Sequence, residues 1–141
     1  MLTSLVSHAQ LALTFSDITN EQGETVKVDL SISGFSEMTS MQFSINWDST
    51  ALSFKSIENL TEQLPQFTER EIGLVEASSG SIRVAWIDNS TNGISLSDST
   101  VLFNLKFELV GEIGSTNGVM VTGNPISIEF SGPDGNVIPI D

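Results

Sequence analysis

Hydrophobic and polar residues alternate along most of this chain. The clearest run, residues 25–33 (TVKVDLSIS), has an apolar residue at every even position, and residues 81–88 (SIRVAWID) and 101–110 (VLFNLKFELV) alternate in the same way. Successive side chains of a strand point to opposite faces of its sheet, so this period of two predicts strands that are buried on one face. The residues predicted to point inward are Val26, Val28, Leu30, Ile32, Ile82, Val84, Trp86, Val101, Phe103, Leu105, Phe107 and Leu109.

Shorter runs and the turns between them complete an all-β pattern. Strands are also predicted at 11–16, 40–47, 51–57, 72–77, 119–122, 126–130 and 136–140, with polar or glycine-containing turns between several of them. Only residues 57–67 (IENLTEQLPQF) suggest a helical turn, which would end before Pro65. A chain of 141 residues with this pattern predicts one domain, an all-β, two-sheet β-sandwich of eight or nine strands.

The predicted strand 40–47 (SMQFSINW) has one side that the core pattern does not explain. This side is polar but carries no charge, although the formal net charge of the chain is -13. Its residues are Ser40, Gln42, Ser44 and Asn46. The outer sides of the strands near 25–31 and 102–108 instead carry charged residues typical of a solvated face: Lys27, Asp29, Lys106 and Glu108. Interface centres are depleted of charge because desolvating a charge is costly, so the uncharged side is either a binding face or a plain polar surface.

Composition disfavours several classes of function. The 18 acidic residues against 5 basic ones disfavour nucleic acid and anionic membranes as partners. There is no cysteine, and the single histidine, His8, lies in a leader-like segment, 1–10, that ends like a signal-peptide cleavage site. No apolar run reaches the roughly 18 residues that a membrane span needs. The domain proper is predicted at 11–141, without catalytic residues, a metal site or a cofactor.

Three features resemble functional motifs without meeting their chemical requirements. Residues 88–93 (DNSTNG) resemble the start of a calcium loop, but Ser99 stands where an EF-hand needs a bidentate Glu. Glu69 and Glu71 could form a carboxylate pair for glycoside hydrolysis, but nothing in the sequence places them in a cleft. Both tryptophans are predicted to point into the core, which disfavours a flat aromatic platform for sugars.

Several motifs occur together in one order along the chain. An aromatic-rich strand ends at Trp47 and Asp48 and is followed by Leu-x-Phe, then by WIDNS (86–90), and then by VLFNLKFELV. This order resembles the cohesin domain family from about residue 11 to 140. The resemblance implies a nine-stranded, jelly-roll-like sandwich that performs no chemistry and binds a dockerin, a small calcium-loaded helical module.

The resemblance also implies a biological setting. In cellulosomes, the pairing of cohesin and dockerin tethers extracellular carbohydrate-active enzymes to a scaffoldin or to the cell surface. We therefore expect a secreted or cell-surface domain that is monomeric on its own. We also expect calcium in the dockerin-like partner rather than in this chain.

The family's partner-contacting positions predict a binding face on this chain. They fall on the strands 40–47, 72–77 and 81–88, which are expected in one sheet. The predicted partner-binding residues are Ser40, Gln42, Ser44, Leu74, Glu76, Ala85, Ile87, Asp88 and Ser90. On the strand 72–77, the expected phase places Val75 inward and Ile72 outward.

The chain departs from the family pattern at two places, and two other functions remain open. One dockerin-binding branch has Asn and Asp where this chain has Ser40 and Gln42, and the family's last strand is expected to be short or missing because the chain stops at Asp141. The alternatives are a carbohydrate-binding module of similar shape and a structural or adhesin-type sandwich without a dockerin partner. An exposed row of aromatic side chains would favour the carbohydrate-binding module.

Overall fold

Ten β-strands make up most of the regular structure in the computed structural model, which describes residues 10–18, 22–90, 92–111, 118–135 and 137–140. The strands are β1 (Ala12–Phe15), β2 (Thr25–Ser33), β3 (Ser40–Asn46), β4 (Leu52–Glu58), β5 (Ile72–Gly73), β6 (Ser81–Ile87), β7 (Thr100–Leu109), β8 (Met120–Thr122), β9 (Glu129–Ser131) and β10 (Val137–Ile138). Two short 3₁₀-helices span Glu69–Glu71 and Ala77–Ser79. No helix in the described ranges has the length and apolarity that a membrane crossing requires. The leader-like segment up to residue 9, with His8, lies outside the described residues.

The strands form two antiparallel sheets. One has the order β1-β2-β7-β4, and the other has the order β10-β9-β3-β6-β5 with β8 also paired to β3. The predicted all-β, two-sheet sandwich is confirmed, and the described strands number ten, two of which (β5 and β10) have only two residues each. A single parallel bridge between Leu11 and Ile140 places a short final pairing beside the start of β1.

The apolar faces of the two sheets meet in one core. All of the predicted inward residues except Val101 are buried, including Trp86. Trp47 is also buried, and its ring meets the Phe107 ring edge-on with 5.0 Å between the ring centroids. Such aromatic pairs stabilise a core beyond the area that they bury. The period of two therefore predicted most of the inward face correctly.

Val101 is the exception, because β7 contains a bulge. Leu30 of β2 pairs with Phe103, but the next residue, Ser31, pairs with Val101, so that Leu102 is skipped in the register. An extra residue in one strand reverses the phase of the side chains on either side of it. Leu102 is therefore 0% exposed and Val101 is 38% exposed, so the prediction that Val101 points inward is wrong.

The predicted strand at 72–77 is also wrong in length and phase. Only Ile72 and Gly73 pair with β6, after which the amide of Ala77 donates to the carbonyl of Leu74 and closes a turn. Ile72 is buried and Val75 is 96% exposed, the reverse of the prediction. The pairing with β6 ends at Gly73, so strand alternation does not determine the direction of the Val75 side chain.

Residues 57–67 do not form the predicted helical turn. Leu64 and Phe67 are buried, and the indole Nε1 of Trp86 donates to the carbonyl of Pro65 at 2.8 Å. Gln66 has a φ of 62°, outside the helical region. The segment therefore has an irregular path that is fixed by its two buried side chains and by the tryptophan hydrogen bond.

The bulge in β7 can be tested with two neighbouring substitutions. We expect Leu102→Ala to lower the free energy of unfolding by about 2–5 kcal/mol, because it opens a cavity in the core. Val101→Ala should cost less than about 1 kcal/mol, the range of exposed strand positions. Denaturant titration followed by tryptophan fluorescence measures both. A larger loss for Val101→Ala would show that β7 has no bulge.

Candidate functional site

The chain between β8 and β9 leaves the sheet and crosses the outer side of β3. Thr122 pairs with Ser44, and Glu129 pairs with Gln42, so both strands lie on the same edge of β3. Residues 123–128 (GNPISI) lie between these two pairs and belong to neither strand. We name residues 123–128 the cap segment. Its backbone groups require hydrogen-bond partners outside the ladder.

The uncharged polar side chains of β3 provide those partners. Ser44 is 0% exposed, and its hydroxyl donates to the Ile126 carbonyl at 3.0 Å and accepts from the Ile126 amide at 2.9 Å. The side-chain amide of Gln42 donates to the Ser127 carbonyl at 3.0 Å. The prediction that Ser44 belongs to an exposed face is therefore wrong, because the cap segment covers it. A charged side chain at this position would be buried at a high cost.

Asn46 continues the same arrangement at the end of β3. Its Nδ2 donates to the Ser81 hydroxyl at 3.1 Å, and its Oδ1 accepts from the Thr122 hydroxyl. Thr122 also accepts from the amide of Asn124 at 3.3 Å, at the start of the cap segment. Side chains of β3 thus tie this strand to β6 on one edge and to the cap segment on the other.

Large apolar side chains are exposed mainly on the outer side of the six-stranded sheet. The described ones are Leu74, Val75, Ile87, Val101, Val110, Met120 and Val137. All except Val101 and Val110 lie in this sheet or in the turn after β5, and Ile87 is 67% exposed. Met120 pairs with Asn46 and shares its outward direction. Ile87 lies opposite Ser40 and Met120 lies opposite Asn46, so these side chains are spread along the sheet from one end of β3 to the other.

The outer face of the four-stranded sheet has the opposite character. Lys27 lies opposite Lys106 in the register of β2 and β7, and Lys55 forms an ion pair with Glu108 at 3.7 Å. The carboxylate of Asp29 accepts a hydrogen bond from a buried Asn on β7. These charges are typical of a solvated surface, as the sequence predicted.

The register of β3 and β6 brings several predicted binding residues together. Ser40 lies opposite Ile87, and Gln42 lies opposite Ala85. Ala85 and Ile87 are exposed, whereas Ser40 and Gln42 are half-buried.

Leu74 and Glu76 lie in the turn after β5, beside β6. Both side chains are exposed, and the carboxylate of Glu76 lies 3.8 Å from the guanidinium of Arg83 on β6. An exposed pair of this kind contributes little to stability, so its charges remain accessible to a partner.

Asp88 and Ser90 lie at the end of β6, and their interactions are local. Asp88 is buried, and its two carboxylate oxygens accept hydrogen bonds from the Ser90 amide at 3.1 Å and the Ser90 hydroxyl at 2.6 Å. Asp88 therefore fixes the turn after β6, while Ser90 is exposed beside it. In the part of the chain that the structure describes, no three side chains of His, Asp or Glu converge to hold a metal ion.

Sequence reasoning did not identify Val75, Met120 or the cap segment as parts of this surface. Met120 lies in a predicted strand whose outward side was not assigned. The Gly-Asn-Pro sequence at 123–125 was a local signal for an interruption between two strands, but it did not indicate where the interrupted chain would lie.

Ser44→Ala tests whether the serine anchors the cap segment. The substitution leaves the amide and carbonyl of Ile126 without their partner, so we expect the free energy of unfolding to fall by about 1–3 kcal/mol. Ser40→Ala, on the same side of the same strand but half-exposed, is the control and should cost less than about 1 kcal/mol. Denaturant titration measures both values. Equal effects of the two substitutions would contradict the anchoring role.

Comparisons with known proteins agree with the architecture. The sixth cohesin of scaffoldin B from Acetivibrio cellulolyticus, solved in complex with a Cel5 dockerin, is 19% identical with a TM-score of 0.73, over 94% of each chain. A type I cohesin in a cohesin–dockerin complex from Clostridium thermocellum is 13% identical with a TM-score of 0.70, again over 94% of each chain. A non-cellulosomal cohesin from the archaeon Archaeoglobus fulgidus is 21% identical with a TM-score of 0.68, over 94% of this chain and 85% of the other.

These identities are low, so the likeness to solved structures shows the fold alone. No curated protein sequence matches the chain. The model of the Cohesin domain family, however, matches residues 11–130, which is most of the sequence. The chain therefore belongs to the cohesin domain family.

Proposed function

We propose that this domain is a non-catalytic binding module that holds a dockerin-type module on the outer side of its six-stranded sheet. We name this surface the docking face; it consists of the outward side chains of β3, β6 and β8 and of the turn 74–76. The observation that carries the proposal is that four of the seven exposed large apolar side chains of the described residues, Leu74, Val75, Ile87 and Met120, lie in this surface.

The composition of the docking face suits protein binding. Ile87, Val75 and Met120 are apolar and largely exposed, and covering them removes apolar surface from water at about 25 cal/mol per Å². The side chains of Glu76 and Arg83 form an exposed ion pair that could orient a partner without being buried. A specific interface of ordinary size buries about 1,600 Å² in total.

Several of the predicted contact residues remain part of the proposal. Contacts are proposed for Ser40, Leu74, Glu76, Ala85, Ile87 and Ser90, whereas Gln42 is proposed to act through its hydrogen bond to the cap segment. Asp88 is proposed to act indirectly, because its carboxylate is occupied by Ser90. Ser44 is covered and acts through the cap segment.

The solved relatives support a dockerin-type partner. The Acetivibrio and Clostridium cohesins are each described in complex with a dockerin. We infer that this domain, secreted or at the cell surface, assembles or anchors extracellular carbohydrate-active enzymes through the same kind of contact. The archaeal non-cellulosomal relative shows that the fold also occurs outside cellulosomes.

Carbohydrate binding is not favoured by any feature of the surface. All ten Trp and Phe side chains lie within the described ranges, and each is buried or half-buried. The exposed aromatic row that would favour a flat sugar platform is thus not found on the described surface. A screen in which the domain bound no dockerin would favour an adhesin-type role.

Ile87→Asp tests the docking face. We expect binding to the cognate dockerin to weaken by about tenfold or more, because the substitution places a desolvated charge in an apolar contact. Val101→Asp adds the same charge on the outer face of the other sheet and should leave the affinity unchanged. Isothermal titration against calcium-loaded dockerins encoded by the source organism measures the dissociation constants, and circular dichroism confirms that both variants fold. Equal affinities for the wild type and Ile87→Asp would contradict this face.

Calcium dependence of the complex is proposed to reside in the partner. A ligand that binds the native state raises its unfolding temperature, so calcium should not change the Tm of the isolated domain, whereas EDTA should abolish complex formation. Differential scanning calorimetry of the domain alone and titration of the complex measure the two effects. A calcium-dependent rise in the Tm of the isolated domain would place a metal site in this chain.

A further inference from the structure

We propose that the cap segment, which lies over β3, extends the docking face and selects among partners. This inference rests on the proposed function and names the residues that contact the partner at this point. Asn124, Pro125 and Ser127 are exposed there, whereas Ser44 beneath them is covered. Ser44 and Gln42 act as positioning residues, because they hold the cap segment through its backbone.

The position of the cap segment is set by the register. Gln42 lies opposite Ala85, which is exposed on β6, so Gln42 and Ser44 are directed to the outer side of the sheet. Their side chains nevertheless end on the backbone of Ile126 and Ser127. A partner that approaches the middle of β3 therefore meets the cap segment before it meets the strand.

The cap segment is anchored well enough to act as a fixed surface. Ile126 makes two hydrogen bonds to one buried hydroxyl, and Ser127 accepts a third bond from a half-buried amide. The amide of Asn124 donates to the Thr122 hydroxyl at 3.3 Å, and the half-buried Ile128 packs against the core. A partner that displaced the cap segment would leave the Ser44 hydroxyl and the Ile126 backbone groups unpaired, which is costly in a buried site.

The chemistry of the cap segment defines what it accepts. The sequence GNPISI carries no charge, and it presents an amide, a proline ring and a hydroxyl. Its flanks are the exposed apolar Met120 and the exposed acidic Glu129. A charged partner group placed over the cap segment itself would lose water without gaining an opposite charge from it, and the nearest cation is Arg83, opposite Ser44 on β6. The surface therefore fits a dockerin that presents uncharged polar or small apolar side chains over β3, with any basic residue located toward Glu129.

A substitution in the cap segment tests this selection. We expect Ser127→Arg to weaken binding of the wild-type partner by about tenfold or more, because its exposed side chain adds a bulky charge while its backbone anchor is unchanged. Thr25→Arg, exposed on the outer side of β2, adds the same charge away from the docking face and should have no effect on affinity. The probe is the calcium-loaded dockerin of the source organism that binds the wild type, measured by calorimetry with the Tm of each variant as the folding control.

The positioning role has a separate readout. Gln42→Ala should accelerate amide hydrogen exchange in the cap segment of the free domain, measured by NMR. Its effect on affinity should disappear in the Ser127→Arg background, because residues that act through one contact are not additive. Equal effects of Gln42→Ala in both backgrounds would show that Gln42 does not act through the cap segment.

The possible outcomes distinguish this inference from the proposed function. Binding that is lost in Ile87→Asp but unchanged in Ser127→Arg would overturn the role of the cap segment and leave the docking face intact. Loss of protection of the Ile126 amide in the complex would show that the partner displaces the cap segment, which also overturns the inference. If the wild type bound no dockerin of the source organism, the proposed function and this inference would both be contradicted.

Discussion

The paired hydrogen bonds between the Ser44 hydroxyl and the backbone of Ile126 determine how the outer half of this sandwich is built. Once the chain leaves the ladder between β8 and β9, its backbone groups need partners that the sheet does not supply. A single hydroxyl can both donate and accept, so Ser44 satisfies the amide and the carbonyl of one residue. An apolar residue would satisfy neither group, and a charged residue would be buried unpaired. The uncharged residue at position 44 is therefore required by the packing of the cap segment, whatever role it has in an interface.

The outer faces of the two sheets differ in the charged side chains that they carry. Lys27, Lys55 and Lys106, three of the five basic residues, lie on the four-stranded sheet, where acidic neighbours such as Glu108 accompany them. Water solvates both signs on that face at little cost. The six-stranded sheet instead exposes apolar side chains and an uncharged cap segment, which can be covered without desolvating many charges. Although the protein is strongly acidic, close contact with another protein on this surface desolvates few charges.

Local pattern predicted the core well because alternation is a local property. β2 alternates throughout its length, and its inward residues could be predicted from the sequence alone. Val101 could not, because its phase depends on a bulge that exists only through pairing with β2. Val75 could not, because β5 ends after two residues and the direction of the next side chains is decided by a turn. The contact of Ser44 with Ile126 joins residues 82 positions apart, and no local pattern encodes a contact of that kind.

The core and the cap segment constrain the sequence differently, so the fold can be kept in relatives of low identity while surface residues differ. Relatives that are 13–21% identical have TM-scores of 0.68–0.73, since a core of interchangeable apolar residues tolerates substitution if volume and patterning are kept. The cap segment lies outside that constraint. It joins two strands that are already paired with β3, and Ser44 and Gln42 bind its backbone rather than its side chains. Because Ser44 and Gln42 make no hydrogen bond to the side chains of the cap segment, its exposed residues can change without disturbing the strands beneath. If the cap segment has the role proposed above, selection among partners can vary through a few residues over β3 while the same two sheets hold them in place.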